Sequence, residues 1–308
     1  MEIEIYKNRS IVACLREATN VLTSYPKSLL KATWIPYLVV AVINAIVLYI
    51  NIPNQELMEW GETNPWPSFI MQTVLYLSAL VCGIWAFIVT FRCINHATTK
   101  QNIHRFAKFF LAILIYSFVI GFVTGFFKGG VWGFLSQTNP DMAALAAQVT
   151  GAIVLLILVF LFFPSILYTE MKFMLEEESK PSQIWTFCKA GMRHWGSFFS
   201  IVFLSAFIII IPYTFLMAPI LILTATQVVA QLGALNNQDP IALPNYFPYL
   251  YIAVGTATAF IGMYVDFWAN VAYCYMFGSI ETREREKKEL NTNTQTPKQS
   301  SNEENTIY

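Results

Sequence analysis

The run FIGMYVDFWANVAYCYMFG, Phe260–Gly278, is apolar or aromatic except for Asp266 and, one helical turn later, Asn270. A carboxylate at the centre of a lipid bilayer costs about 2.5–3.5 kcal/mol on insertion scales, so it needs a partner, water or a proton. Two chemistries would use such a group. It could carry a proton or cation through a small transporter or channel, or it could fasten helices by hydrogen bonds. Asn270 supplies a hydrogen-bonding group on the same helix, and Gln72 and Asn44, in other apolar runs, are cross-helix candidates. No Lys or Arg lies deep in these runs to serve as counter-ion. Gly255, Ala259, Gly262, Asp266, Ala269 and Tyr273 follow three- and four-residue spacing, a small-residue stripe expected to face other helices. Depth decides between the chemistries: the 15 residues from Asp266 to Glu281 span about 22 Å of helix. The structural role is the favoured reading.

Other reactive residues do not assemble into a motif. Cys93 and His96 have a loosely ligand-like spacing and His104 follows, but a metal needs three or four convergent groups, so these read as polar residues near the membrane surface. His194, between Arg193 and Trp195, reads as an anchor at the mouth of an apolar run. The five cysteines form no CxxC and no paired spacing, so neither a zinc knuckle nor a disulfide framework is indicated. There is no GxSxG, no HExxH, no phosphate-cradling GK[ST] loop and no dinucleotide fingerprint. No cofactor or metal is expected, and an enzyme, while left open, is not favoured.

These residues sit in a chain that lipid must solvate. Of 308 residues 56% are hydrophobic and 12% charged, with mean hydropathy +0.51; ordinary soluble domains carry roughly 25% charged residues. The net charge of zero gives no reason to expect nucleic acid. About 20 apolar residues cross a bilayer, and six stretches qualify: near 34–52, 69–91, 109–127, 149–168, 198–223 and 247–278. The last two are long enough to tilt, to kink at Pro212 and Pro219, or to extend beyond the bilayer. Of the 19 Lys and Arg residues, all but Lys128 fall in the N-terminal segment, the second and fourth connections or the tail. That alternation places both termini in the cytoplasm by the positive-inside rule. No cleavable leader is seen in MEIEIYKNRS and the residues that follow, so the first span is expected to stay in place.

Each outward-and-back pair of spans is preceded by a basic, aromatic approach. In the first, Ile11, Leu15, Ala18 and Leu22 make one apolar helical face, and in the third Ile184, Phe187, Cys188 and Met192 do so. Two readings stay open for these approaches: helices lying in the inner interface, or loop helices packed on the protein. Their basic residues Arg92, Lys100, Arg105, Lys108, Lys189 and Arg193 are the candidates for headgroup contact. EEES, Glu176–Ser179, reads as an acidic turn before a helix start at Ser182. In the third span Gly121, Gly125, Gly129 and Gly133 recur every four residues. With Gly255 and Gly262 they are expected to pack helices closely, within the chain or between copies. The external connections NIPNQELMEWGETNPWPS and NNQDPIALPNYFPY are short and hold no binding domain. Residues 1–290 form one membrane domain, and 291–308 a polar, disordered cytoplasmic tail.

The stretch LFFPSILYTEMKFMLEEESKPSQIWTFCKAGMRHWGSFFSIVFLSAFIIIIP, Leu161–Pro212, carries a span with a late proline, an acidic turn, an amphipathic helix and a basic-plus-Trp entry to the next span. In this it resembles the bacterial YciC-like and glycerophosphoryl diester phosphodiesterase membrane-domain group. The resemblance implies a six-helix inner-membrane module. The enzymes of that group hold their chemistry in a separate soluble barrel of about 250 residues, for which this chain has no segment; no catalytic residue is carried over.

The sequence thus predicts an all-α polytopic membrane protein of six transmembrane helices with cytoplasmic interfacial helices, multi-pass in the inner membrane. Its leading function is a non-enzymatic envelope or interaction module touching lipid or a partner, with a membrane protein or a second copy of the chain as partners left open. The alternative is a transporter or channel using Asp266.

Overall fold

A computed structural model describes residues 3–52, 60–136, 140–235 and 243–295. Among the described residues there is no strand, and helices carry almost the whole chain. They are α1 (Ile11–Ser24), α2 (Pro26–Asn51), α3 (Pro65–Asn95), α4 (Thr99–Leu135), α5 (Pro140–Leu175), α6 (Ile184–Arg193), α7 (Trp195–Leu235) and α8 (Phe247–Gln295). Six of these, all but α1 and α6, are long and apolar enough to cross a membrane. The protein is an all-α, multi-pass membrane protein.

The helices start and stop where local chemistry tells them to. Pro26 opens α2 and Pro65 opens α3, positions where a missing backbone N–H costs nothing. α3 ends at His96, whose backbone is left-handed at φ 55°. Two residues on, Thr98 and Gln101 form a reciprocal cap: the Thr98 amide donates to Gln101 Oε1 at 2.9 Å and the Gln101 amide to Thr98 Oγ1 at 3.3 Å. A short 3-10 turn, Pro181–Gln183, precedes α6, with the Lys180 amide donating to Gln183 Oε1 at 3.1 Å.

Several sequence boundaries need correction. The second approach is no separate interfacial helix; from Thr99 onward it is the first part of α4 itself. The helix expected from Ser182 begins at Ile184. α7 and α8 are continuous over 41 and 49 residues. At 1.5 Å per residue both exceed the roughly 30 Å hydrocarbon core by a wide margin, so they extend beyond it. The final helix also carries on through residues 291–295, past the boundary set for the tail; 296–308 lie outside the described residues, as does most of each external connection.

The chain divides into two compact units. The first holds Thr19–Asn102 and Phe203–Asn270. In it α2 is tied to α3 by a 2.7 Å hydrogen bond between the hydroxyls of Tyr37 and Thr90, and to α8 by one of 3.2 Å between Thr33 and Tyr264. Tyr37 meets Tyr264 edge to face at 5.1 Å. A second cluster gathers Ile52, Ile220, Phe247 and Tyr251, with Tyr251 and Thr224 sharing a 2.9 Å hydrogen bond. Most apolar side chains of α7 point away from the protein interior, as a helix solvated by lipid tails allows.

The second unit holds Glu2–Ala18, Ile103–Val202 and the chain from Val271. Here α6 packs back along the last turns of α5. Phe187 meets Phe173 with ring centres 5.4 Å apart. At the crossing Gly191 is required: a Cβ there would lie 2.6 Å from the Ser165 Cα. Ser165 Oγ donates to the Cys188 carbonyl at 2.9 Å, and the Tyr116 hydroxyl shares 3.1 Å hydrogen bonds with Ser165 and Thr169. The hydroxyls of Ser165, Thr169 and Tyr116 are thus all paired, which is what a low-dielectric site demands.

Candidate functional site

The residues that the sequence singles out as an intramembrane polar line do not come together. Asn44, Gln72 and Asp266 are exposed and Asn270 half-buried. Asn270 Nδ2 donates to the Asp266 backbone carbonyl at 2.9 Å, a bond within one helical turn that leaves the carboxylate alone. The Asp266 carboxylate makes no hydrogen bond or ion pair with another described residue, and no bond joins it to Asn44 or Gln72. The stripe explains the difference. Gly255 and Gly262 do face neighbours in the first unit: a Cβ on Gly255 would be 3.1 Å from that of Ala45, and one on Gly262 would be 2.9 Å from the Tyr213 hydroxyl. Asp266 is the exposed member of the stripe: Ala269, one turn on, is buried with its neighbours Phe267 and Trp268.

The glycines of α4 divide from those of α8. Added methyls at Gly121, Gly125, Gly129 and Gly133 would meet nothing within 4 Å, so close packing of this face inside the chain is overturned.

Charge chemistry concentrates instead in the second unit, around the last turns of α5. Helix ends leave carbonyls without intrahelical partners; here one basic residue of α4 takes such a carbonyl, and a second holds a carbonyl of the turn that follows. Arg105 Nη1 donates to the Met174 carbonyl at 3.0 Å and pairs with Glu177 at 3.6 Å. Lys108 Nζ donates to the Ser179 carbonyl at 3.0 Å. Both are headgroup candidates by sequence; in the structure they are staples that fix the turn after α5, and Arg105 is buried. A second group lies alongside. Lys172 bridges Glu176 at 2.9 Å and Glu281 at 3.2 Å, and Tyr168 donates to Glu281 at 2.5 Å. Arg285 reaches Glu176 at 3.8 Å and lies 5.1 Å over the Tyr6 ring. Arg193 and His194 share Glu284, at 2.6 and 2.9 Å, so the expected anchor is an ion-pair partner of α8. No hydroxyl or thiol bonds to His194 among the described residues, so this His–carboxylate pair has no nucleophile to activate.

The N-terminal strap, residues 3–10, is sewn to α8. Ser279 Oγ accepts from the Arg9 amide and donates to its carbonyl, each at 2.9 Å. Arg283 donates to Asn8 Oδ1 at 2.8 Å and to the Arg9 carbonyl at 2.6 Å. Gly278 makes room for this: a methyl there would collide with the Ile5 carbonyl. Burial raises the Tyr6 phenol far above its ordinary range, against the pull of Arg285. It also pushes the Cys14 thiol up to about 11, against the pull of Arg9 and Arg283.

The apolar faces of the approach helices are spoken for. Cys14, Leu15, Ala18 and Val21 of α1, and Phe187, Cys188 and Gly191 of α6, are buried in the protein. Ile11 and Leu22 of α1 and Ile184 and Met192 of α6 are half-buried, so each helix packs the centre of its apolar face on protein. Opposite the buried face of α6 stand Trp185, 77% exposed, and Lys189, which share one side at helical spacing. Arg92 and Lys100 are also exposed.

One residue escaped the sequence reading. Glu170 is 9% exposed and makes no hydrogen bond or ion pair with a described residue, although Lys172 lies two positions on. Ending the fourth span at Tyr168 put Glu170 outside it; the helix runs on to Leu175 and keeps it inside. The available signal was a lone carboxylate between Thr169 and Met171, before the EEES turn.

Among the described residues no group of three or more His, Cys, Asp or Glu could hold a metal ion. The chain matches no family model, and no curated protein or solved structure matches it either.

Proposed function

We propose that this protein is a non-enzymatic membrane module of the inner membrane, with both termini cytoplasmic, whose α6 face touches lipid headgroups or a membrane partner. The observation that supports it is the pairing pattern in the second unit. Arg105, Lys108, Lys172, Arg193, Arg283 and Arg285 are engaged within the chain, whereas Trp185 and Lys189 are left outward on the same side of α6. An indole at headgroup level beside a cation is the usual signature of an interfacial contact. The positive-inside count supports the cytoplasmic side, and the likeness of Leu161–Pro212 to the YciC-like membrane-domain group agrees with a module of this kind. The transport reading is not favoured, since Asp266 has no cross-helix partner.

Site-directed photo-crosslinking in native membranes tests the reading. A photoreactive residue at position 185 is expected to capture phospholipid or one discrete protein. Capture of neither, with full quenching by an aqueous collisional agent, would contradict it.

A further inference from the structure

The far end of the α4–α5 pair carries a feature that the α6 reading does not use. A groove of about 450 Å³ is lined by Gly125, Lys128, Gly129, Trp132, Ala144, Ala147 and Gln148. Its volume falls in the range of small-molecule sites. Among the described residues no acidic one lines it, and it presents three donor groups: the Lys128 ammonium, the Gln148 amide and the Trp132 indole. None of the three side chains makes a hydrogen bond or ion pair with a described residue.

Depth and charge point to one kind of occupant. From Phe109 to Phe127 α4 carries no charge, and these 19 residues span about 28 Å, close to the thickness of the hydrocarbon core. Lys128 therefore falls at the edge of the core opposite Arg105 and Lys108. It is also the Lys or Arg that breaks the charge alternation. Its stem lies beside Gly151, where a Cβ would be 3.5–3.7 Å from the Lys128 chain, an ordinary contact that holds the side chain against α5. An ammonium at that depth needs an anion, and the anion abundant there is a lipid phosphate. The absence of Cβ atoms at Gly125 and Gly129 leaves the floor flat enough for an acyl or glycerol segment.

We propose that this groove is a binding site for an anionic phospholipid, with Lys128 and Gln148 on the phosphate, Trp132 at the headgroup edge and the glycerol end along Gly125 and Gly129. It goes beyond the α6 reading and can fail without it.

Native mass spectrometry of the full chain, delipidated and titrated with phosphatidylglycerol, tests this. The wild type is expected to retain one lipid under conditions that strip bulk lipid. Lys128→Gln and Ala144→Trp, which fills the groove from an exposed position, should each lower that occupancy about tenfold, while Lys100→Gln leaves it unchanged. Circular dichroism checks that each variant keeps its helix content. Retention at the wild-type level in Lys128→Gln and Ala144→Trp would overturn the proposal. So would equal retention of phosphatidylcholine, or displacement of the lipid by millimolar inorganic phosphate, which would make the site one for a soluble anion.

Discussion

Asp266 and Arg105 exchange the roles that their sequence contexts suggest. Asp266 looks like the charge that must be paired, yet it stands outward on α8 with its carboxylate free of hydrogen bonds and ion pairs. Arg105 looks like a surface cation, yet it is buried against the end of α5. Asp266→Asn removes no hydrogen bond or ion pair with a described residue and is accordingly expected not to destabilise the fold; thermal unfolding in detergent checks this. Arg105→Met should cost about 1.5–3 kcal/mol, the range for a hydrogen bond to a charged group, nearly all of it from the Met174 carbonyl. Its partner Glu177 is 70% exposed, so the ion pair itself contributes little. Cys14 gives a pH signature. Its folded pKa of about 11 lies above the ordinary thiol value near 8.5, so the unfolded chain releases this proton first. The stability it contributes is whole below pH ~8.5 and is lost as pH rises through about 11. A Cys14→Ala variant should show a shallower decline over that window in denaturation midpoints measured against pH.

At the scale of elements, the second unit is held by backbone approaches that only glycine permits. Gly191 lets α6 lie on Ser165, and Gly278 lets the N-terminal strap cross α8. Gly191→Leu and Gly278→Val should each destabilise by at least the 1–3 kcal/mol typical of overpacking. They should also differ in kind: limited proteolysis should release the strap in Gly278→Val and leave it protected in Gly191→Leu. The long elements were legible in the sequence because apolar length alone specifies a span, and six hydropathic stretches correspond to six helices. The facing of α1 and α6 was legible as well, since Leu15, Ala18, Phe187 and Cys188 are buried as their spacing implied. What the faces pack against was not legible. An amphipathic period reads the same whether lipid or protein covers the apolar side, and the small-residue stripes of α4 and α8 look alike although only that of α8 has a neighbour. The staples across the turn after α5 were invisible for a simpler reason: Lys108 and Ser179 are 71 positions apart, and no local rule links them.

The whole molecule sorts its charges by place. Spans carry few, and the second unit gathers its ion pairs around the ends of α5 and α6 and residues 281–285 of α8. This end holds the turn after α5, the strap and α6, and it presents Trp185 and Lys189 outward. As proposed above, this charged end lies on the cytoplasmic side. A single Lys189→Cys substitution, in a chain whose native cysteines are replaced, tests it through a membrane-impermeant maleimide. The account predicts labelling in inside-out vesicles and none in intact cells or spheroplasts. Labelling from outside the cell would contradict it.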